Sequence, residues 1–105
     1  MSIFTDRVIK AALSIPKGRV TTYGRIARAA GGGGQSARSV TAILGKAYGK
    51  GETRIPFHRI VYADGHVWVN PSHRAKRLKL YKQEKIKLDK NDKIINFPDV
   101  VFDFR

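Results

Sequence analysis

The chain has 105 residues, 42% of them hydrophobic, with 21 Lys plus Arg against 8 Asp plus Glu, a formal charge of +13 and no cysteine. That length suits one domain, residues 1–105, with a single modest core, and the apolar content excludes a disordered chain. The missing thiols exclude disulfides, thiolate catalysis and cysteine-based zinc sites, and the scattered His58, His66 and His73 form no metal cluster, so neither metal nor cofactor is expected.

The basic excess is uneven: residues up to Arg59 carry +9 and the remainder +4. A small protein this basic meets a polyanion, usually nucleic acid. A membrane-surface helix would need a strongly apolar face, which the basic segment 72–90 shows only weakly. No apolar run approaches the roughly 20 residues that span a bilayer. The amphipathic start, with Asp6 in it, is not a signal peptide, so a cytoplasmic location is expected.

Phe4, Val8, Ala12 and Ile15 recur at helical spacing and predict a first helix over 3–14, stopped by Ile15-Pro16-Lys17-Gly18. Thr21 or Thr22 can cap a second helix, Tyr23 to Ala30, and Gly31 is placed as its C-cap. Ser36 caps a third helix over 36–47, with Val40, Ile43, Leu44 and Ala47 along one face. Two short helices joined by a glycine turn suggest a helix-turn-helix whose second member is 36–47.

The stretch "YGKGETR" then reads as a loop, and "RIVYADGHVWV" as two strands around the turn signal Asp64-Gly65. A last helix is expected over 72–84, with Ala75, Leu78 and Tyr81 inward and Arg74, Lys76, Arg77, Lys79 and Lys82 outward. The tail "IINFPDVVFDFR" is too apolar to float free and should lie back on the body. The composite is α+β, a winged helix-turn-helix.

Between loop and strand stands "IPFHRIV", an aromatic flanked by a proline, a histidine and an arginine, with no nucleophile among them. Taken in order, "IPKGRVTTYGRIARAAG", "SARSVTAILGKA" and "IPFHRIV..DGHV" resemble the DNA-binding domain of the guanine O6-alkyltransferases. The chain resembles still more closely their non-enzymatic relatives, the alkyltransferase-like proteins. The match runs from about Phe4 to Tyr81, and the tail resembles that of an alkyltransferase-like protein as well. In the repair enzymes the turn is Pro-Cys-His-Arg, and the cysteine thiolate takes the alkyl group. Phe57 stands at that place here, where the alkyltransferase-like proteins usually carry tryptophan. An alkyl acceptor must be a soft nucleophile, and phenylalanine is none.

The resemblance implies a protein that is not an enzyme: a sensor that flips O6-alkylguanine out of double-stranded DNA and flags it for nucleotide excision repair proteins. It implies that Phe57, beside Pro56, walls a lesion pocket. Arg38 would fill the gap left by the flipped base, and Tyr23 would press on the adjacent phosphate. His58 and Arg59 would remain as hydrogen-bonding scaffold of turn and pocket, and Trp68 falls where a lid over the base is expected. Thr22 and backbone amides near Ser36, at helix starts, are candidate phosphate donors. A monomer is expected. The competing readings are a general winged-helix DNA binder without lesion specificity and an enzyme built on His58 with Tyr23 or Tyr62. No carboxylate–histidine–nucleophile spacing supports the latter.

Overall fold

The computed structural model describes residues 3–32, 37–67 and 70–104. Its elements are α1 (Ile3–Leu13), β1 (Thr21–Thr22), α2 (Tyr23–Ala29), α3 (Ala37–Gly49), a 3-10 turn (Phe57–Arg59), β2 (Ile60–Val61), a second 3-10 turn (Pro71–His73), α4 (Arg74–Gln83) and α5 (Phe97–Val100). Among the described residues no helix is long and apolar enough to cross a membrane.

Helices α1, α2 and α3 enclose one core, in which Val8, Ala12, Ile26, Val40 and Leu44 are fully or almost fully buried. In α1 and α3 the buried positions recur at the helical period, which is why the amphipathic pattern of those two segments is legible. Thr22 caps α2: its Oγ1 accepts the Arg25 N–H at 3.2 Å. At the other end Gly31, at φ +92°, lets its own N–H reach Arg28 O at 3.0 Å and the Gly32 N–H reach Ala27 O at 2.8 Å. This pair of bonds satisfies carbonyls that the helix end would orphan, and the left-handed conformation favours glycine. Helix α3 runs on to Gly49, so Tyr48 and Gly49, expected in a loop, are helical. The proposed Ser36 cap lies outside the described residues.

The sheet differs from the expected hairpin. β2 pairs in parallel with β1, in the register Thr21 with Ile60 and Thr22 with Val61. The turn at Asp64-Gly65 does form, closed by Tyr62 N–H to His66 O at 3.0 Å and Gly65 N–H to Tyr62 O at 2.9 Å. Beyond it His66 bridges antiparallel to Lys93 rather than to β2. The reason is the tail: Ile94 N–H bonds Gly65 O at 3.0 Å and Val67 N–H bonds Asp92 O at 2.9 Å, so the C-terminal segment takes the place of the first hairpin arm. Gly65 has φ +91°, and a Cβ there would meet Phe97 Cγ at 3.2 Å, so glycine is needed on both counts.

The tail also flanks β1 on its other side. Phe102 N–H bonds Val20 O at 2.6 Å, and Thr21 Oγ1 donates to Phe102 O at 2.9 Å. Val20, Val61, Val67, Tyr81, Ile86 and Ile94 form a second core beneath these contacts. The tail therefore packs against the body as its apolar content requires.

Helix α4 is rotated from expectation. Tyr81 is buried, but Ala75 is exposed and Leu78 is 36% exposed, while Arg77, expected outward, is half-buried. Arg77, Tyr81 and Glu84 share the inward stripe, at the three- and four-residue spacing of one helix face. That stripe is largely polar, so hydrophobic periodicity could not find it.

Candidate nucleic-acid interface

Five elements converge on one opening. Tyr23 from the start of α2, Thr41 and Gly45 from α3, Phe57, Ile60, Val61 and Tyr62 from the turn and β2, and Arg77 from α4 line a cavity of about 320 Å³. This is the lower end of the range for ligand pockets, roughly 300–1,000 Å³. Phe57 is half-buried. One part of its ring packs against the α1–α3 core, Tyr48 meets it edge-on at 5.7 Å between centroids, and the remainder faces the cavity. Tyr23 and Tyr62, also in the lining, stand 6.4 Å apart, centroid to centroid.

Burial raises the Tyr23 phenol above its usual 10, Tyr62 adds to the rise and Arg77 opposes it. Tyr23 is thus a neutral O–H donor at physiological pH. Tyr81, near Arg77, has its hydroxyl buried without a well-formed hydrogen bond among the described residues. Burial drives its pKa to about 12, with the Arg77 guanidinium pulling the other way.

His58 and Arg59, expected around the pocket, face away from the cavity onto Glu84, a residue not anticipated from sequence. The Glu84 side chain is 4% exposed. His58 Nε2 lies 2.6 Å from Glu84 Oε2, Arg59 Nη2 donates to Oε2 at 2.9 Å, and Arg59 Nε and the Gly18 N–H donate to Oε1 at 3.0 and 2.9 Å. Arg59 Nη1 also donates to Ile15 O at 3.0 Å. Burial opposes ionisation of Glu84, but the donors from Arg59, Gly18 and His58 outweigh it and hold the carboxyl at about 2. Burial holds His58 below its usual 6.5 despite Glu84, so the neutral ring donates Nε2–H to the carboxylate. The cluster ties the turn to α4 and to the loop after α1, fixing Phe57 from behind. Pro56, at the N-cap of the turn, is buried beneath it.

Arg38 is exposed in the first turn of α3 and makes no ion pair among the described residues. It shares a helix stripe with Tyr48 and with Thr41 and Gly45, which line the cavity. Thr22 is 3% exposed and its hydroxyl caps α2, which leaves Tyr23 and Gly24 as the groups presented at this corner. Ser36 and Trp68 lie outside the described residues. Tyr62, Thr41, Gly45 and Arg77 were not singled out for the cavity. The sequence offered only spacing along α3 and the proximity of Tyr62 to the turn.

A basic protein with a helix-turn-helix and a tyrosine-rimmed cavity matches known proteins over most of its length. Residues 3–86 match the family described as 6-O-methylguanine DNA methyltransferase, DNA binding domain. The chain belongs to this family. Within and around the methyltransferase family, the fold is similar to that of S. pombe Atl1 in complex with damaged DNA containing O6-carboxymethylguanine. The TM-score is 0.76 at 25% identity, over 99% of this chain and 98% of that one. It is also similar to the Mycobacterium tuberculosis O6-methylguanine methyltransferase, with TM-score 0.60 and 31% identity over 81% of this chain and 50% of that one. In sequence, a DNA base-flipping protein of Escherichia coli (strain K12) is 41% identical over 64 residues, 61% of this chain and 47% of the relative. The chain spans about half the length of the curated relatives it matches. Where the chain departs from a methyltransferase is chemical: its 105 residues contain no cysteine.

Proposed function

We propose that the protein is a non-catalytic sensor of O6-alkylguanine in duplex DNA. It everts the modified base into the Phe57 cavity, holds it there as a cytoplasmic monomer, and marks the site for nucleotide excision repair. The observation that carries this reading is the cavity of about 320 Å³ with Phe57 in its wall, in a chain without any thiol. The S. pombe relative held on DNA containing O6-carboxymethylguanine and the relative called a base-flipping protein support it.

The groups divide the work. Lysines and arginines in excess neutralise phosphates and set the register on the duplex. Arg38, on the helix stripe of Thr41 and Gly45, occupies the stack vacated by the purine, which offsets part of the few kcal/mol that eversion costs. Tyr23, a neutral donor at the α2 N-terminus, meets the backbone next to the rotated nucleotide. Phe57, Ile60 and Val61 give the purine apolar surface, and Tyr62, Thr41 and Arg77 supply polar groups around it. Burial keeps His58 neutral, and its bond to Glu84 engages it as a donor that fixes the turn.

The test is a paired titration into one duplex carrying a single O6-methylguanine and into its unmodified twin, at several salt concentrations, with analysis of the recovered base. The expected outcome is tighter binding to the modified duplex with the methyl group retained, and affinity that falls steeply with salt for both. Equal affinity for the two duplexes would leave a general DNA binder, and loss of the methyl group would make the protein an enzyme.

A further inference from the structure

Gly45 sits in the middle of α3, where glycine weakens a helix relative to alanine. Nothing among the described residues asks for it. Its φ is not positive, and a Cβ built there meets no heavy atom of the described residues within 4 Å. Gly31 and Gly65 are explained by their backbone conformation, and Gly65 also by Phe97. Gly45 is explained by neither, yet it lines the cavity.

The walls of that cavity are unequal. Tyr23, Phe57, Ile60, Val61, Tyr62 and Arg77 line it with larger side chains, while among the described residues α3 contributes Thr41 and Gly45. Thr41, Gly45 and Tyr48 lie on one stripe, and Tyr48 touches Phe57, so a side chain at 45 would project toward the turn and the opening. The geometry points to Gly45 as a size-determining residue: by withholding a side chain it leaves the α3 side of the cavity free for the substituent of a bulky O6 adduct, such as an aryl-methyl group. This rests on the lesion-binding reading above and adds which class of adduct the cavity admits.

The consequence is that stability and recognition move in opposite directions on one substitution. Gly45→Ala should raise Tm by several degrees, because a better helix former enters open space. It should also weaken binding to a duplex containing O6-benzylguanine by on the order of tenfold or more, the scale on which a single methyl group in a pocket discriminates. Binding to the O6-methylguanine duplex should change far less, and binding to the unmodified duplex not at all. Gly49→Ala, on the same helix and also in open space but not on the cavity, should leave all three affinities unchanged.

Measured on the full chain with these three duplexes, an unchanged benzyl affinity in Gly45→Ala would overturn the assignment. An equal loss on all three would overturn it too, making position 45 a contact with the DNA backbone. So would a lowered Tm, since the added methyl would then be clashing within the protein. If the unsubstituted protein itself binds O6-methylguanine and O6-benzylguanine duplexes no better than the unmodified one, the lesion-binding reading fails first.

Discussion

Glu84→Ala should lower the unfolding free energy by about 3–5 kcal/mol, the range for removing one partner of a buried charge pair. In a domain of this size that is a fall in Tm of roughly 12 °C or more. The substitution strands the Arg59 guanidinium, the His58 Nε2–H and the Gly18 N–H, which now share one carboxylate. Glu84→Gln keeps an acceptor and should lose less. A loss below about 1 kcal/mol in the alanine variant would mean that the cluster behaves as a solvated surface pair.

The same cluster sets the response to acid. His58 is held below 6.5, so it takes up its proton less readily folded than unfolded; its contribution is full above pH 6.5 and is lost as the pH falls through the depressed value. Glu84, at about 2 against an ordinary 4.5, contributes fully above pH 4.5 and loses that contribution as the pH falls toward 2. Both act in one direction. Thermal unfolding followed by circular dichroism should show Tm declining below pH 6.5 and more steeply below 4.5. A Tm that rose between pH 7 and 5.5 would show His58 binding as a cation, against the arrangement described.

Arg38→Ala is expected to reduce affinity for an O6-methylguanine duplex on the order of a hundredfold, because the few kcal/mol needed to unstack a base are then met without a substitute in the stack. Affinity for unmodified DNA should fall only as for any lost phosphate contact. Lys79→Ala is the comparison: it should lower the salt slope by about one unit and weaken both duplexes alike. If Arg38→Ala also weakened both alike, Arg38 would be a phosphate contact and the base would be held out by other means.

How much of this was legible in the sequence differs by element. Helices α1 and α3 announce themselves because Val8 and Ala12, then Val40 and Leu44, recur at the helical period and are buried, while α2 is marked by its Thr22 cap and Gly31. The parallel pairing of Thr21–Thr22 with Ile60–Val61 leaves no such trace, since two-residue strands far apart in the chain have no periodicity to display. The hairpin turn was readable from Asp64-Gly65, but the partner of its second arm came from residues 92–94, a non-local contact that turn chemistry cannot encode. On α4 the inward stripe carries Arg77 and Glu84, so a rule that places apolar residues inward rotated the helix.

The site divides in the same way. Phe57 stood out because its Pro-Phe-His-Arg context is peculiar, and the structure sets it in the wall of a cavity. Glu84 did not stand out: a single glutamate after a lysine-rich helix reads as a solvated residue, and only the fold brings His58 and Arg59 to it across 26 and 25 positions. Gly45 was invisible for the opposite reason, because a glycine in a helix looks like a defect until the space around it is known.

The most direct measurement reports the eversion itself. A duplex with 2-aminopurine stacked immediately beside an O6-methylguanine brightens when its neighbour leaves the stack. Titrating the protein into it should raise the fluorescence to saturation at one protein per lesion, much less with Arg38→Ala, with the methylated base recovered unchanged afterwards. Tight binding without any rise would mean that the modified guanine stays in the helix, which contradicts a cavity built to receive it.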